Sequence, residues 1–117
     1  MTRDEFNIYC AILPATTNVI QWGNSSVWKV VEKIFAICSH LGEGGHQKIN
    51  FKCSDMSYEI LREQPDILPA PYLARAKWVQ LVTSDAMADD DIKLYIQLAH
   101  DIIVCKLIKA LRKELNL

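Results

Sequence analysis

The chain has 117 residues, half of them hydrophobic and 23% charged, with a formal net charge of −1. That length supports one domain, residues 1–117, with a core that needs no disulfide staples. The charge balance excludes long disorder, and it lacks the basic excess by which most nucleic-acid binders neutralise phosphates, though a local basic face is compatible with it.

Thr2 followed by Glu5 is a capping box, and Phe6, Tyr9, Cys10 and Leu13 recur at helical spacing. A first amphipathic helix is therefore expected over residues 3–12, ended by Pro14. Thr16 to Gln21 is rich in β-branched residues and reads as a strand, and Gly23-Asn24-Ser25 reads as a turn. Val27 to Val31 is a second strand, joined through Glu32-Lys33 to a third from Ile34 to Ser39, which is apolar on both faces and hence central. The loop His40 to His46 holds three of the four glycines, as a long hairpin would. From Gln47 to Cys53 the alternation is strict, with Ile49, Phe51 and Cys53 on one side and Lys48, Asn50 and Lys52 on the other.

Ser54 is a good N-cap for a helix whose inner face is expected to be Met56, Ile60 and Leu61, bordered by Tyr58 and stopped by Pro65. Prolines 65, 69 and 71 mark an extended connection, and Ala76 to Val82 reads as a fifth strand. The last third is a long helix with Asp89, Asp90 and Asp91 at its start and Lys106, Lys109, Arg112 and Lys113 near its end, a polarity that suits the helix dipole. Its apolar stripe is Ile92, Tyr95, Ile96, Ala99, Ile102, Ile103 and Leu107, with Lys106 at its edge. The order is α-β-β-β-β-α-β-α. The expected fold is α+β: an antiparallel sheet of four or five strands, helices packed on one face, the other face partly open to solvent.

Cys10, Cys38, Cys53 and Cys105 lie in apolar patterns and form no C-x-x-C pair. Buried free thiols in a reducing compartment are expected, and no zinc site. The opening MTRDEF has no apolar run of a signal peptide, and no stretch approaches the ~20 apolar residues of a membrane span, so a soluble cytoplasmic protein is expected. No G-x-S-x-G, P-loop or Ser/His/Asp order is present. The chain reads as a non-enzyme with no cofactor and no metal. His40 and His46 bracket one loop near Cys38 and Cys53, yet the spacing matches no ligand motif. His100 reads as a core-edge or surface histidine, since its neighbour Asp101 points about 100° away on a helix.

The basic residues suggest one surface. Lys29, Lys48, Asn50 and Lys52 fall on strands, and Arg75 and Lys77 flank the run into Trp78. If they converge, the lysines neutralise phosphates and Trp28 or Trp78 stacks on a base. The bland alternative is a solvated sheet face whose tryptophans belong to the core.

Several blocks carry a family resemblance: TRDEFNIYCAILP at the start, KVVEKIFAI, INFKCSDM followed by LREQ, PAPYLARAKWVQL, and HDIIVCKLIKALRKEL near the end. In order and spacing the chain resembles the MmcQ/YjbR family of small bacterial proteins. The resemblance implies a frataxin-like or secretion-chaperone-like α+β fold and a DNA-binding role through two hairpin wings, which here would be Trp22–Ser26 and His40–His46. Ile108 stands where the family usually has a proline, so a straighter last helix is expected. The reading is a non-enzymatic binding module. DNA is the ligand that the resemblance implies. The alternative is a protein-interaction or chaperone-like module that uses the open sheet face. No membrane partner is expected, and the chain would be a monomer or a weak homodimer.

Overall fold

Thr2 closes the first turn of α1 (Arg3–Ile12) from both directions. Its side chain accepts from the Glu5 amide at 3.1 Å, while its own amide donates to the Glu5 carboxylate at 3.0 Å. These details come from a computed structural model that describes residues 1–39, 47–71, 73–107 and 109–117. The hairpin loop and the histidine pair expected at 40–46 lie outside the described residues.

After α1 come β1 (Thr16–Gln21), β2 (Ser25–Val30), β3 (Lys33–Ser39) and β4 (Lys48–Lys52), then α2 (Asp55–Leu61). β5 (Ile67–Pro69) and β6 (Trp78–Leu81) follow, separated by a 3-10 turn at Ala74–Ala76, and then α3 (Asp89–Cys105) and α4 (Lys109–Glu114). All strands pair antiparallel in one sheet of order β1-β2-β3-β4-β6-β5. The expected α+β architecture holds, with one strand more than expected. The addition is β5, a three-residue piece on the far side of β6. The last helix is not straighter: α3 stops at Cys105 and α4 begins at Lys109.

Helices α1, α2 and α3 all pack on one sheet face. Phe6 and Cys10 from α1 and Leu13 just after it meet Trp28, Val30, Phe51, Val79 and Leu81 from the strands and Ile92, Ile96, Ala99 and Ile103 from α3 in one core. A bulge at Trp28/Lys29 pairs Trp28 with Ala36 and Lys29 with Ile34, which leaves Phe35 out of register. Both Phe35 and Ala36 therefore reach the helix-side core, and both are fully buried. Phe51 stacks on Tyr95 of α3 with ring centroids 5.6 Å apart.

In α2 the inner face is Tyr58 and Leu61, while Met56 and Ile60 are exposed. The cap is as expected, with Ser54 accepting from the Ser57 amide at 3.1 Å. A helix of two turns is too short for its apolar residues to fix its rotation. His100 is buried in the core rather than at its edge. Among the described residues, no helix is long and apolar enough to cross a membrane.

Candidate functional site

The expected basic surface lies on the sheet face away from the helices. Register places Lys29 beside Ile34, Ile37 beside Asn50, Ser39 beside Lys48, and Asn50 beside Gln80, all on that face. Its centre is not open. Val27, Ile37, Ala70 and Trp78 form a second buried cluster, with Val19, Ile34 and Leu73 packed against it. The proline-containing segment after β5 folds back to supply Ala70 and Leu73. Ala70 donates to the Trp78 carbonyl at 3.0 Å, and the Trp78 amide donates to the Leu73 carbonyl at 3.3 Å.

This covering corrects the expectation of an open face. Trp78 is 4% exposed and Asn50 5%, so neither is presented to a ligand. The Asn50 amide donates to the carbonyl of Lys48 at 3.0 Å and to the Ser39 hydroxyl at 3.3 Å, and its oxygen accepts from Gln80 at 3.0 Å. A buried amide spends its capacity on the sheet in this way because an unmet polar group there is costly. Trp28 lies on the opposite, helix-side face. Its indole donates to the Asn7 side-chain oxygen at 3.0 Å.

Three of the cations around the rim are also engaged. Lys29 lies 3.9 Å from the Glu32 carboxylate. Lys52 donates to the Ala76 carbonyl. Lys77 takes a left-handed backbone, φ 64°, and holds its ammonium 4.9 Å from the Tyr58 ring centroid. Arg75 sits exposed in the 3-10 turn, and Lys48 is half-buried. Lys29, Lys48 and Lys52 share a face by register, but the tryptophans and Asn50 that were to act with them are inside.

The exposed indole is Trp22, which the sequence placed only inside a candidate wing. It is 56% exposed at the β1–β2 turn, and Ile20 beside it is 51% exposed. The turn is not a free wing. A guanidinium nitrogen of Arg3 donates to the Asn24 carbonyl at 2.6 Å. One turn further along α1, the Asn7 oxygen accepts from the Ser26 hydroxyl at 2.6 Å as well as from Trp28. Asn18 of β1 completes the link by donating to the Ser26 hydroxyl at 2.9 Å.

β1 ends the sheet, pairing on one side only among the described residues. From Phe6 through Trp28 the sequence holds no charged side chain. The opposite edge differs: β5 is three residues long, ends in Pro69, and is followed by Pro71. Short, proline-bearing edges resist pairing with another chain; long, uncharged ones invite it.

Three cysteines are buried and Cys105 is exposed; all four are free, so the expectation of four buried thiols holds for three. Burial pushes the Cys38 thiol up to about 11 and the Cys53 thiol to about 12, and raises Cys10 further. Such thiols are poor nucleophiles and poor metal ligands near neutral pH. Among the described residues no three His, Cys, Asp or Glu side chains are grouped as metal ligands would be.

Residues 11–102 match the model of the family described as YjbR. The chain is similar to a Deinococcus radiodurans protein whose domain is described as DUF419, with a TM-score of 0.86 at 22% identity, over 99% of this chain and 88% of that one. It is also similar to a protein from Pseudomonas syringae, with a TM-score of 0.71 at 19% identity, over 88% of this chain and 99% of that one. Likeness at such identities speaks for the fold alone. No curated protein matches the chain.

Proposed function

We propose that this chain, which belongs to the YjbR family, is a non-enzymatic protein-interaction module that adds an extended segment of a partner to the β1 edge of its sheet. The observation that carries this reading is the asymmetry of the two sheet edges. One is short and ends in proline; the other is six residues long and uncharged, carries exposed Ile20, and is followed by exposed Trp22. Strand addition takes affinity from main-chain hydrogen bonds and specificity from alternate side chains. Ile20 and Trp22 are the apolar anchors, and aromatic anchors carry much of the energy of such contacts.

The partner is an extended, uncharged segment rich in β-branched residues. A second copy of this chain, pairing β1 with β1 about a twofold axis, is one such partner. DNA is the weaker reading, because the basic residues it needs surround a covered face and three of them, Lys29, Lys52 and Lys77, are engaged within the fold.

The test is light scattering after size exclusion over a range of concentrations, with a labelled peptide of residues 16–21 as a second probe. Mass should rise with concentration, and the peptide should slow amide hydrogen exchange in β1. Ile20→Lys should abolish both effects. A monomer at every concentration, with β1 exchange untouched by the peptide, would overturn the reading.

A further inference from the structure

Lys52 and Lys106 come from different parts of the chain, the end of β4 and the residue after α3, and line one groove of about 410 Å³. Its exposed wall is mostly apolar, with Tyr95, Leu98 and Ile102 along α3, while Ser54, Ser57 and Asp101 line it as well. Asp101 lies on the same helix, where Gln97 donates to its carboxylate at 3.0 Å. Among the described residues neither ammonium lies in an ion pair, although Lys52 donates to the Ala76 carbonyl. Burial and then the nearby Lys106 charge hold Lys52 below its ordinary value, against a smaller opposing pull from Asp55. Two like charges share one rim, and an anion between them would relieve their repulsion.

We propose that this groove binds a small organic anion, with its charged end against Lys52 and Lys106 and its apolar tail along Tyr95, Leu98 and Ile102. A bare inorganic anion would leave the apolar wall wet. A neutral apolar molecule would leave the paired cations unrelieved. An amphiphilic carboxylate or phosphate monoester answers both, and the groove is of the size that holds small molecules. This site is separate from the β1 edge and does not depend on it.

Octanoate below its micelle concentration is the probe, titrated calorimetrically into the full chain, with 1-octanol and inorganic phosphate as controls. Octanoate should bind saturably at one site with Kd of about 1 mM or tighter. Octanol and phosphate should each bind at least about tenfold more weakly. Lys106→Met, at an exposed position, should weaken octanoate about tenfold, as should Leu98→Asp. Octanoate should also slow alkylation of the Cys105 thiol, which lies in the same groove. Equal binding of octanol, undiminished binding by Lys106→Met, or no saturable octanoate binding would each overturn the proposal. Ile20→Lys should leave octanoate binding unchanged, so failure of the edge reading and failure of this one are separable.

Discussion

Nε2 of His100 lies 2.8 Å from the carbonyl oxygen of Pro14, joining α3 to the end of α1 across 86 positions of sequence. A carbonyl only accepts, so the imidazole carries its proton on Nε2. Nδ1 has no hydrogen-bond partner among the described residues, and the ring meets Phe35 edge-on at 5.3 Å. His100→Ala should cost about 2–4 kcal/mol, combining a cavity with a lost hydrogen bond. His100→Gln should recover part of it. Urea unfolding measures both, and nitrogen NMR should show the Nε2–H tautomer.

Val31 and Glu32 form the two-residue turn between β2 and β3, both with positive φ, 48° and 68°. A β-branched residue is a poor occupant of that region, and such turns favour Asn-Gly. The double change Val31→Asn, Glu32→Gly should stabilise by about 1 kcal/mol and raise Tm by a few degrees. The weak surface contact of Glu32 with Lys29 is lost with little effect. A fall in Tm would contradict this account of the turn.

The buried thiols make the fold labile to base. Their folded values lie above the unfolded one, near 9, so the unfolded chain ionises first. Their contribution is fully present below pH 9 and is lost as pH rises towards about 11 for Cys38 and about 12 for Cys53. Each thiol adds up to about 1.4 kcal/mol of loss per pH unit inside its window. Urea unfolding at pH 8, 9 and 10 should show stability falling steeply above pH 9, and Cys38→Ala should flatten that slope.

Of the three tryptophans, Trp28 and Trp78 are buried and Trp22 is half exposed. Acrylamide should quench one component of the emission, and Trp22→Phe should remove it. Quenching that survives the substitution would mean that the cover over Trp78 opens.

Duplex DNA should show no salt-dependent binding by fluorescence anisotropy at about 50 mM salt, where phosphate contacts are strong. Affinity that falls with salt and is weakened by Lys48→Ala would restore the DNA reading.

Local features were the legible ones. The Thr2–Glu5 box, the Ser54 cap and the alternation through Ile49 and Phe51 are written in residues a few positions apart. β5 was not legible, because three residues carry no periodicity and its pairing depends on β6. The fold-back that brings Ala70 over Trp78 depends on contacts across the sheet, and prolines 69 and 71 announce only an extended chain. Asn7 gave no sign of its part either: its side chain matters because Ser26 and Trp28 arrive beneath it. The candidate surface failed at that same step, since alternation told which residues share a side but not whether something lies on top.

The unequal margins of the sheet also bear on growth. Strand addition at a proline-stopped margin is blocked, so a chain of copies has nowhere to continue after the first union. If β1 meets β1 of a second copy as proposed, the product would be a closed couple and not a fibre, because the one bare border is used up in it.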